Sequence, residues 1–246
     1  MFSQAPKLSD DGTHWTFYPK DGTPFDVPAY QTLTIGNGTG TIPLTGTTTV
    51  IDLTYPTETT AADYTALVAQ ITPEGADGTY TDIDTRADNA AGWSVEGNLQ
   101  GEKVTVTVEA SAQVGNALLR VTLIRNDGSE LTASCIVSWQ GYTIDSETNA
   151  YTVYTPEGLL AWAKAAQETL STSCTLAADI TLPGPAEEGG SNWTPVGTYN
   201  NRYTGTFDGA GHTISNLQLT SSYNYIGLFG YVGEGARLKT AMWKAP

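Results

Sequence analysis

Apolar and polar residues alternate with a period of two through most of the chain as far as Gln140. The run 103–108 shows this most clearly, because Val104, Val106 and Val108 share one face and threonines occupy the other. Such alternation predicts strands with one buried and one exposed face. Roughly seven such runs, separated by Gly, Pro and Asn clusters, occupy residues 31–140, so we predict an antiparallel β-sandwich there.

Three local features refine this prediction. The run 64–71 fits either a strand or a helical turn or two, whereas Asn126-Asp127-Gly128-Ser129 predicts a tight hairpin between the last two strands. Residues 1–30 are rich in turn signals, and a short strand is predicted at His14–Tyr18. We interpret 1–30 as a leading segment or as a strand added to the domain that follows.

A family resemblance supports the sandwich. Trp93-Ser94-Val95 precedes the Val-Thr-Val-Thr-Val run, and two hairpin strands then end at Trp139-Gln140. In these features, residues 31–140 resemble the immunoglobulin-like BACON family, found in secreted and surface proteins of gut bacteria. The resemblance implies an immunoglobulin-like fold that serves in carbohydrate binding or as a spacer.

The pattern changes from Gly141 onward, where a helix is predicted over 155–170. Thr155 suits the N-cap, Pro156 the first helical position and Glu157 the positive end of the helix dipole. Four residues at helical spacing form the predicted apolar face: Leu159, Ala163, Ala166 and Leu170.

Short strands and glycine corners follow this helix. Ile214, Leu217 and Leu219 are followed about 20 residues later by Ala236 and Leu238, and a recurrence of that length is typical of stacked coils. We therefore predict that residues 141–246 contain a helix and the first coils of a parallel β-helix.

Three motifs in this region carry a second resemblance. Trp-Thr-Pro-Val-Gly (193–197), Phe-Asp-Gly-Ala-Gly-His-Thr-Ile-Ser-Asn-Leu (207–217) and Gly-Leu-Phe-Gly (227–230) occur in that order. Over residues 151–239 the chain resembles the right-handed β-helix domains that carry the GLUG motif. The resemblance implies a helix that caps the first coil, and a place in large bacterial surface proteins, adhesins or secreted peptidases.

The stretch after Lys239 departs from this family, whose members continue through further coils. We interpret the chain as a fragment with a truncated β-helix, or as one in which Met242 and Trp243 cover the open coil. An uncovered coil also predicts self-association through the open end.

Composition excludes some partners and locations. The 26 acidic and 11 basic residues give a net charge of −15, which argues against nucleic acid as a partner. No apolar run is long enough for a membrane-spanning helix, and no signal peptide is visible in this chain. The resemblances nevertheless imply an extracellular or cell-surface location. Cys135 and Cys174 are expected to be buried free thiols, although one disulfide is the alternative.

Catalytic groups are scarce, so we predict that the chain is not an enzyme. His14 and His212 lie in different regions, and a hydrogen-bonded structural role is expected for His212. Asp208 precedes a glycine and is expected to form a tight corner, and Asp179 is also interpreted as structural.

A cluster of aspartates between residues 82 and 88 is the one candidate metal site in the sequence. Asp82, Asp84 and Asp88 offer oxygen ligands at short spacing, which predicts either a calcium site or an ordinary acidic loop. No other cofactor is expected.

Aromatic residues beside amides provide the strongest functional signal. Tyrosine rings stack on the CH faces of sugars and amides bond sugar hydroxyls, although the same residues also suit protein interfaces. The tyrosines at 199, 203, 223, 225 and 231 belong to this pattern, whereas Trp193 and Phe229 are expected to pack in the core. The predicted ligand-binding residues are Tyr199, Tyr203, Tyr223, Asn200, Asn201 and Arg202.

These observations predict a mostly β protein, an immunoglobulin-like sandwich followed by a helix-capped, truncated right-handed parallel β-helix. The predicted function is that of a non-catalytic extracellular module of a bacterial surface protein, acting in cell adhesion or in binding a glycan or a host or matrix protein. The alternatives are an accessory region of a secreted polysaccharide-degrading enzyme or peptidase, or a structural stalk.

Overall fold

The structure is a computed structural model, and most of the chain is described by it. The described residues are 4–5, 7–8, 14–20, 22–28, 32–38, 40–56, 59–81, 89–90, 92–112, 114–220, 226–239 and 242–244. Strands predominate in these ranges, which contain one α-helix. The predicted mostly β class is therefore confirmed.

The first strands form a small antiparallel sheet of their own, with strand order β1-β2-β3. These strands are β1 (Lys7–Leu8), β2 (His14–Phe17) and β3 (Phe25–Pro28). Strand β2 coincides with the predicted run and pairs with both of its neighbours. Among the described residues, this sheet shares no strand pairing with the sheets that follow.

Two further sheets occupy the region up to Trp139. The first has the order β4-β6-β10-β9-β8 and comprises β4 (Thr34–Ile35), β6 (Thr48–Thr54), β8 (Asn89–Ala90), β9 (Trp93–Asn98) and β10 (Lys103–Val108). The second has the order β5-β12-β11-β7 and comprises β5 (Thr41–Pro43), β7 (Tyr64–Pro73), β11 (Gly115–Arg125) and β12 (Glu130–Trp139). Their pairings are antiparallel except for that of β5 with β12.

Both sheets contribute alternate side chains to one hydrophobic core. In β10, Val104, Val106 and Val108 are buried as the alternation predicted, and Leu119 and Val121 of β11 lie in the same core. The run 64–71 is a strand, preceded by a single 3-10 turn (Ala61–Asp63). The predicted hairpin turn at 126–129 joins β11 to β12.

A short connection leads out of this core. Strand β12 ends at Trp139, and β13 (Tyr142–Ile144) begins shortly afterwards. Gly141 adopts a φ of 75°, which favours glycine. The ring of Tyr154 lies 5.4 Å from that of Trp139 and packs against the first core. The two halves of the chain are therefore in direct contact at this connection.

Helix α1 (Pro156–Glu168) forms as the capping residues predicted. The Thr155 hydroxyl accepts a hydrogen bond of 3.2 Å from the backbone N–H of Gly158. The predicted face is wrong at one end, because the helix stops at Glu168 and Leu170 lies beyond it. Trp162, which the pattern missed, is fully buried on the inner side of the helix.

Two ladders of parallel strands follow. The chain returns to these ladders several times, and we call each return, which adds the next strand beside the one before it, a pass. One ladder runs β14-β15-β17-β19, with β13 added antiparallel at its edge; the other runs β16-β18-β20. Their strands are β14 (Tyr151–Val153), β15 (Cys174–Leu176), β16 (Ile180–Thr181), β17 (Thr206–Asp208), β18 (Thr213–Ser215), β19 (Arg237–Lys239) and β20 (Met242–Lys244).

The register corrects the predicted repeat length. Leu238 lies beside Phe207 and Trp243 lies beside Ile214, so one pass of the chain is clearly longer than the apolar recurrence indicated. The predicted recurrence of about 20 residues, which ends at Ala236 and Leu238, is therefore too short, because each pass includes irregular loops that the apolar pattern does not count. Met242–Lys244 pairs in register as a further strand rather than folding back over the open coil.

A second hydrophobic core lies within these ladders, beneath α1. Its centre is aromatic: Trp162, Tyr203 and Phe207 are fully buried, and the ring of Phe229 packs 4.9 Å from that of Tyr203. Trp193 is buried too, as expected. In the described part of the chain, no helix combines the length and apolar character needed to cross a bilayer.

Candidate ligand-binding surface

The turn 198–202 projects from the second region where the backbone of two successive passes is in close contact. Tyr203 N–H donates to the Tyr231 carbonyl at 3.0 Å, and Gly230 N–H donates to the Val196 carbonyl at 2.9 Å. Gly197 has a φ of 83°, and a Cβ there would collide with backbone atoms of Tyr203 and Tyr231. These backbone contacts therefore fix the position of the residues from which the turn begins.

Hydrogen bonds within the turn hold its conformation. Thr198 N–H donates to the Asn201 carbonyl at 2.7 Å, and Asn201 N–H donates back to the Thr198 hydroxyl at 3.2 Å. Asn200 and Asn201 are exposed. This arrangement leaves both amide side chains at the surface beside Tyr199.

Tyr199 is the most exposed large hydrophobic side chain among those described, with 65% of its surface accessible. The Arg202 guanidinium carbon lies 5.5 Å from the centre of the Tyr199 ring, within the range of a cation–π contact. Arg202 Nε donates to the Tyr199 carbonyl at 3.3 Å. The half-buried Tyr231 ring meets that of Tyr199 edge to face at 5.6 Å. We call Tyr199, Arg202 and Tyr231 the Tyr–Arg cluster.

Tyr203 is not part of this surface, so the predicted exposure is wrong for this residue. Its side chain is fully buried, and its hydroxyl donates to the Thr172 carbonyl at 3.1 Å. Burial raises the pKa of this hydroxyl well above its usual range. Tyr203 faces inward, where its ring packs 6.0 Å from that of Trp162 and 4.9 Å from that of Phe229. Tyr223 lies outside the described residues.

Tyr231 was not among the predicted ligand-binding residues. It belongs to the tyrosine-rich pattern, but it lies too far from Tyr199 in the sequence to give a local signal. The parallel bridges Val196–Phe229 and Tyr203–Val232 bring the two segments side by side. A correct repeat length would have identified the contact.

The acidic and histidine residues that were examined as catalytic candidates form hydrogen bonds or ion pairs with neighbouring residues. Asp179 Oδ1 accepts from the Thr213 N–H at 2.9 Å and lies 3.3 Å from His212 Nδ1, and both contacts lower the pKa of Asp179. Asp208 Oδ1 accepts from the Ala210 N–H at 2.9 Å, while its other oxygen pairs with Lys239 at 3.4 Å. These contacts agree with the structural roles expected for Asp179, Asp208 and His212.

Cys135 and Cys174 are both free, and the alternative of one disulfide is wrong. Cys174 is buried and Cys135 is half-buried. Burial raises the pKa of the Cys135 thiol to about 11, and it also raises that of Cys174. Both are poor nucleophiles at neutral pH, because the reactive form is the thiolate.

The predicted calcium ligands Asp82, Asp84 and Asp88 lie outside the described residues, so calcium binding there stays a prediction. Within the described ranges, no three His, Cys, Asp or Glu side chains are grouped closely enough to hold a metal ion.

An open groove of about 420 Å³ lies between α1 and residues 191–194. Leu160, Lys164 and Gln167 line its helical side. On the other side, the Asn192 amide already donates to the carbonyls of Pro183 and Asn216, at 2.8 and 2.6 Å. The groove therefore has fewer uncommitted polar groups than its lining suggests, and the Tyr–Arg cluster is the better candidate site.

Comparisons with known proteins add one short match. No protein-family model matches the chain. A segment of 65 residues is 37% identical to the "Putative Gly-rich membrane protein" of Evansella cellulosilytica. The match covers 26% of this chain and 8% of that protein's length.

Proposed function

We propose that the chain is a non-catalytic extracellular module of a bacterial surface protein that acts in adhesion by binding glycans. The observation that carries the proposal is the Tyr–Arg cluster, in which a ring that is 65% exposed is held at a fixed turn. Sugars offer CH faces to such a ring and hydroxyls to neighbouring amides, and Asn200 and Asn201 supply those amides.

The architecture supports a surface protein. Two sheets that share one core are typical of immunoglobulin-like sandwiches, which this proposal assigns to residues 31–140. Parallel strands that stack in register from one pass of the chain to the next are typical of a β-helix. The proposal takes this β-helix to be right-handed, with α1 as its cap.

A binding experiment tests the proposal. The purified chain is applied to a glycan array, and its affinity for any hit is compared with that of Tyr199→Ala by calorimetry. We expect Tyr199→Ala to weaken binding by about tenfold, as loss of one ring contact predicts. The control is Tyr80→Ala, because Tyr80 is a half-buried tyrosine of the other region.

Two results would contradict this proposal. Either the unmodified chain binds no glycan, or Tyr199→Ala binds as tightly as the unmodified chain. Turnover of a polysaccharide or peptide by this chain alone would overturn the non-catalytic assignment.

A structural stalk is the second candidate, and the junction between the two regions favours it. Only Gln140 and Gly141 separate β12 from β13, and the Tyr154–Trp139 ring contact spans the junction. Short, packed junctions suit a spacer that holds a fixed length. An array without hits, together with solution scattering that fits one rigid shape, would favour the stalk.

Self-association through the last coil stays a prediction. Leu238 of β19 is 52% exposed, and β19 has a neighbour on one side only within the described residues. A strand with one open edge and an exposed leucine offers a contact for a further strand.

A further inference from the structure

The Arg202 guanidinium is fixed in place while most of its donors remain available. Nε is used in the hydrogen bond to the Tyr199 carbonyl, and the guanidinium lies over the Tyr199 ring. Gly233 packs against the Arg202 Cβ, where a side chain would crowd it. Among the residues that the structure describes, no hydrogen bond uses the two terminal nitrogens, and their four N–H groups can bind a ligand.

Within the part of the chain that the structure describes, Arg202 has no acidic partner, which is notable in a chain with a net charge of −15. Two other exposed basic residues form ion pairs: Lys103 with Asp52 at 2.8 Å, and Lys239 with Asp208 at 3.4 Å. Among the described residues, no carboxylate forms an ion pair with Arg202. Its planar fork matches a carboxylate in two parallel hydrogen bonds.

From these observations, and resting on the proposed glycan-binding function, we infer that the Tyr–Arg cluster selects carboxylate-bearing sugars. The sugar ring packs on the exposed part of Tyr199, and its carboxylate binds the terminal nitrogens of Arg202. The exposed amides of Asn200 and Asn201 then bond ring hydroxyls. An aromatic contact and a charge-assisted contact at one turn fit an acidic sugar better than a neutral one.

The acidic surface opposes such a ligand, and this effect is itself testable. At physiological ionic strength, charges more than about 8 Å away are largely screened, so the nearest acids matter most. Glu234 directly follows Gly233 and is exposed. Because the neighbouring Gly233 packs beside Arg202, we expect the Glu234 carboxylate to repel an incoming carboxylate, and removing its charge should strengthen binding of the acidic ligand.

The experiment compares two matched pairs of sugars by calorimetry. One pair is tetragalacturonate and its fully methyl-esterified form; the other is sialyllactose and lactose. A chelator is present so that calcium does not crosslink the galacturonate. The pairs distinguish a plant-type uronic acid from an animal-type sialic acid as the source of the carboxylate. We expect the acidic member of at least one pair to bind about tenfold more tightly than its neutral counterpart.

Variants identify the group responsible. Arg202→Gln should remove that tenfold preference, so that the acidic and neutral members of a pair bind with similar affinity. Arg202→Lys should retain only part of the preference, because a lysine cannot make the paired contact. Glu234→Gln should strengthen binding of the acidic sugar only. Arg237→Gln is the matched control, because it removes an exposed positive charge on β19.

The outcomes separate this inference from the proposed function. If the neutral sugars bind as well as the acidic ones, or Arg202→Gln keeps the preference, the carboxylate selection is wrong while glycan binding stands. If none of the four sugars binds and the glycan array is also blank, both fail. Circular dichroism of each variant establishes that it is folded.

Discussion

Tyr199 and Tyr203 are close neighbours in the sequence, and their side chains lie in opposite environments. Tyr199 is 65% exposed at the projecting turn, whereas Tyr203 is fully buried where the chain returns to the second core. Both have polar neighbours, and both fit a binding site by residue type. The difference lies in the contacts of the Tyr203 ring with Trp162 and Phe229, which are distant in the sequence and which no local pattern reveals.

Two substitutions at Tyr203 test its structural role. Tyr203→Phe keeps the ring and should lower the free energy of unfolding by about 1 kcal/mol, the usual cost of one hydrogen bond. The Thr172 carbonyl keeps a second donor, Trp162 Nε1 at 3.2 Å, which limits the loss. Tyr203→Ala should cost about 3–5 kcal/mol through the cavity it leaves.

Denaturant unfolding measures both values. A cost below about 1 kcal/mol for Tyr203→Ala would contradict core packing. Loss of glycan binding in a fully stable Tyr203→Phe would instead assign the hydroxyl to the ligand site.

At the level of elements, most predictions based on local patterns succeeded, whereas the predicted repeat length, which depends on long-range register, was wrong. The alternation in β10 and the N-cap of α1 depend on neighbouring residues, and the structure has both. The end of α1 was missed because Thr169 takes an extended conformation (φ −131°, ψ 95°) that its residue type does not dictate. The repeat length failed because loops of unequal length separate the strands of each pass.

The candidate site shows the same difference between local and long-range predictions. The turn 198–202 was recognisable from its tyrosines and amides, but which of them face outward depends on how successive passes pair. Asp179 illustrates the point in another way, since its partner Thr213 belongs to the next pass of the chain. Contacts of this kind require the register of the parallel strands, which residue types alone do not specify.

At Gly158 in α1, we predict that alanine destabilises the protein, although alanine has the higher helix propensity. Replacing a helical glycine with alanine normally stabilises a helix by about 1 kcal/mol. Here the added Cβ would collide with the Gly141 carbonyl and press on the Cβ of Tyr142. We therefore expect Gly158→Ala to lower the free energy of unfolding by about 1–3 kcal/mol, the usual range for overpacking.

The matched control is Gly184→Ala, because no atom lies within 4 Å of a Cβ placed there. Thermal unfolding followed by circular dichroism compares the two variants with the unmodified chain. A rise in the melting temperature of Gly158→Ala would show that α1 does not contact the connection at Gly141.

At the scale of the whole molecule, the described residues form two separate cores, which a ring contact between Trp139 and Tyr154 and a short connection join. Buried residues form one cluster up to Trp139 and another from Val153 onward. Tyr154 follows directly after the second cluster begins, yet it packs on the first. Its backbone N–H also donates to the Gly141 carbonyl at 2.9 Å. This residue is therefore expected to couple the stability of the two regions.

Tyr154→Ala tests that coupling, because it removes the ring contact with Trp139 and leaves both cores otherwise intact. We expect a modest loss of about 1–2 kcal/mol, in keeping with a half-buried ring, and faster hydrogen exchange in both the end of β12 and β13. The control is Tyr55→Ala, which removes a ring 5.3 Å from Tyr64 in the first region. That variant should accelerate exchange in the first region only. If Tyr154→Ala leaves exchange in β12 unchanged, the two regions unfold independently, and a rigid spacer would need another source of stiffness.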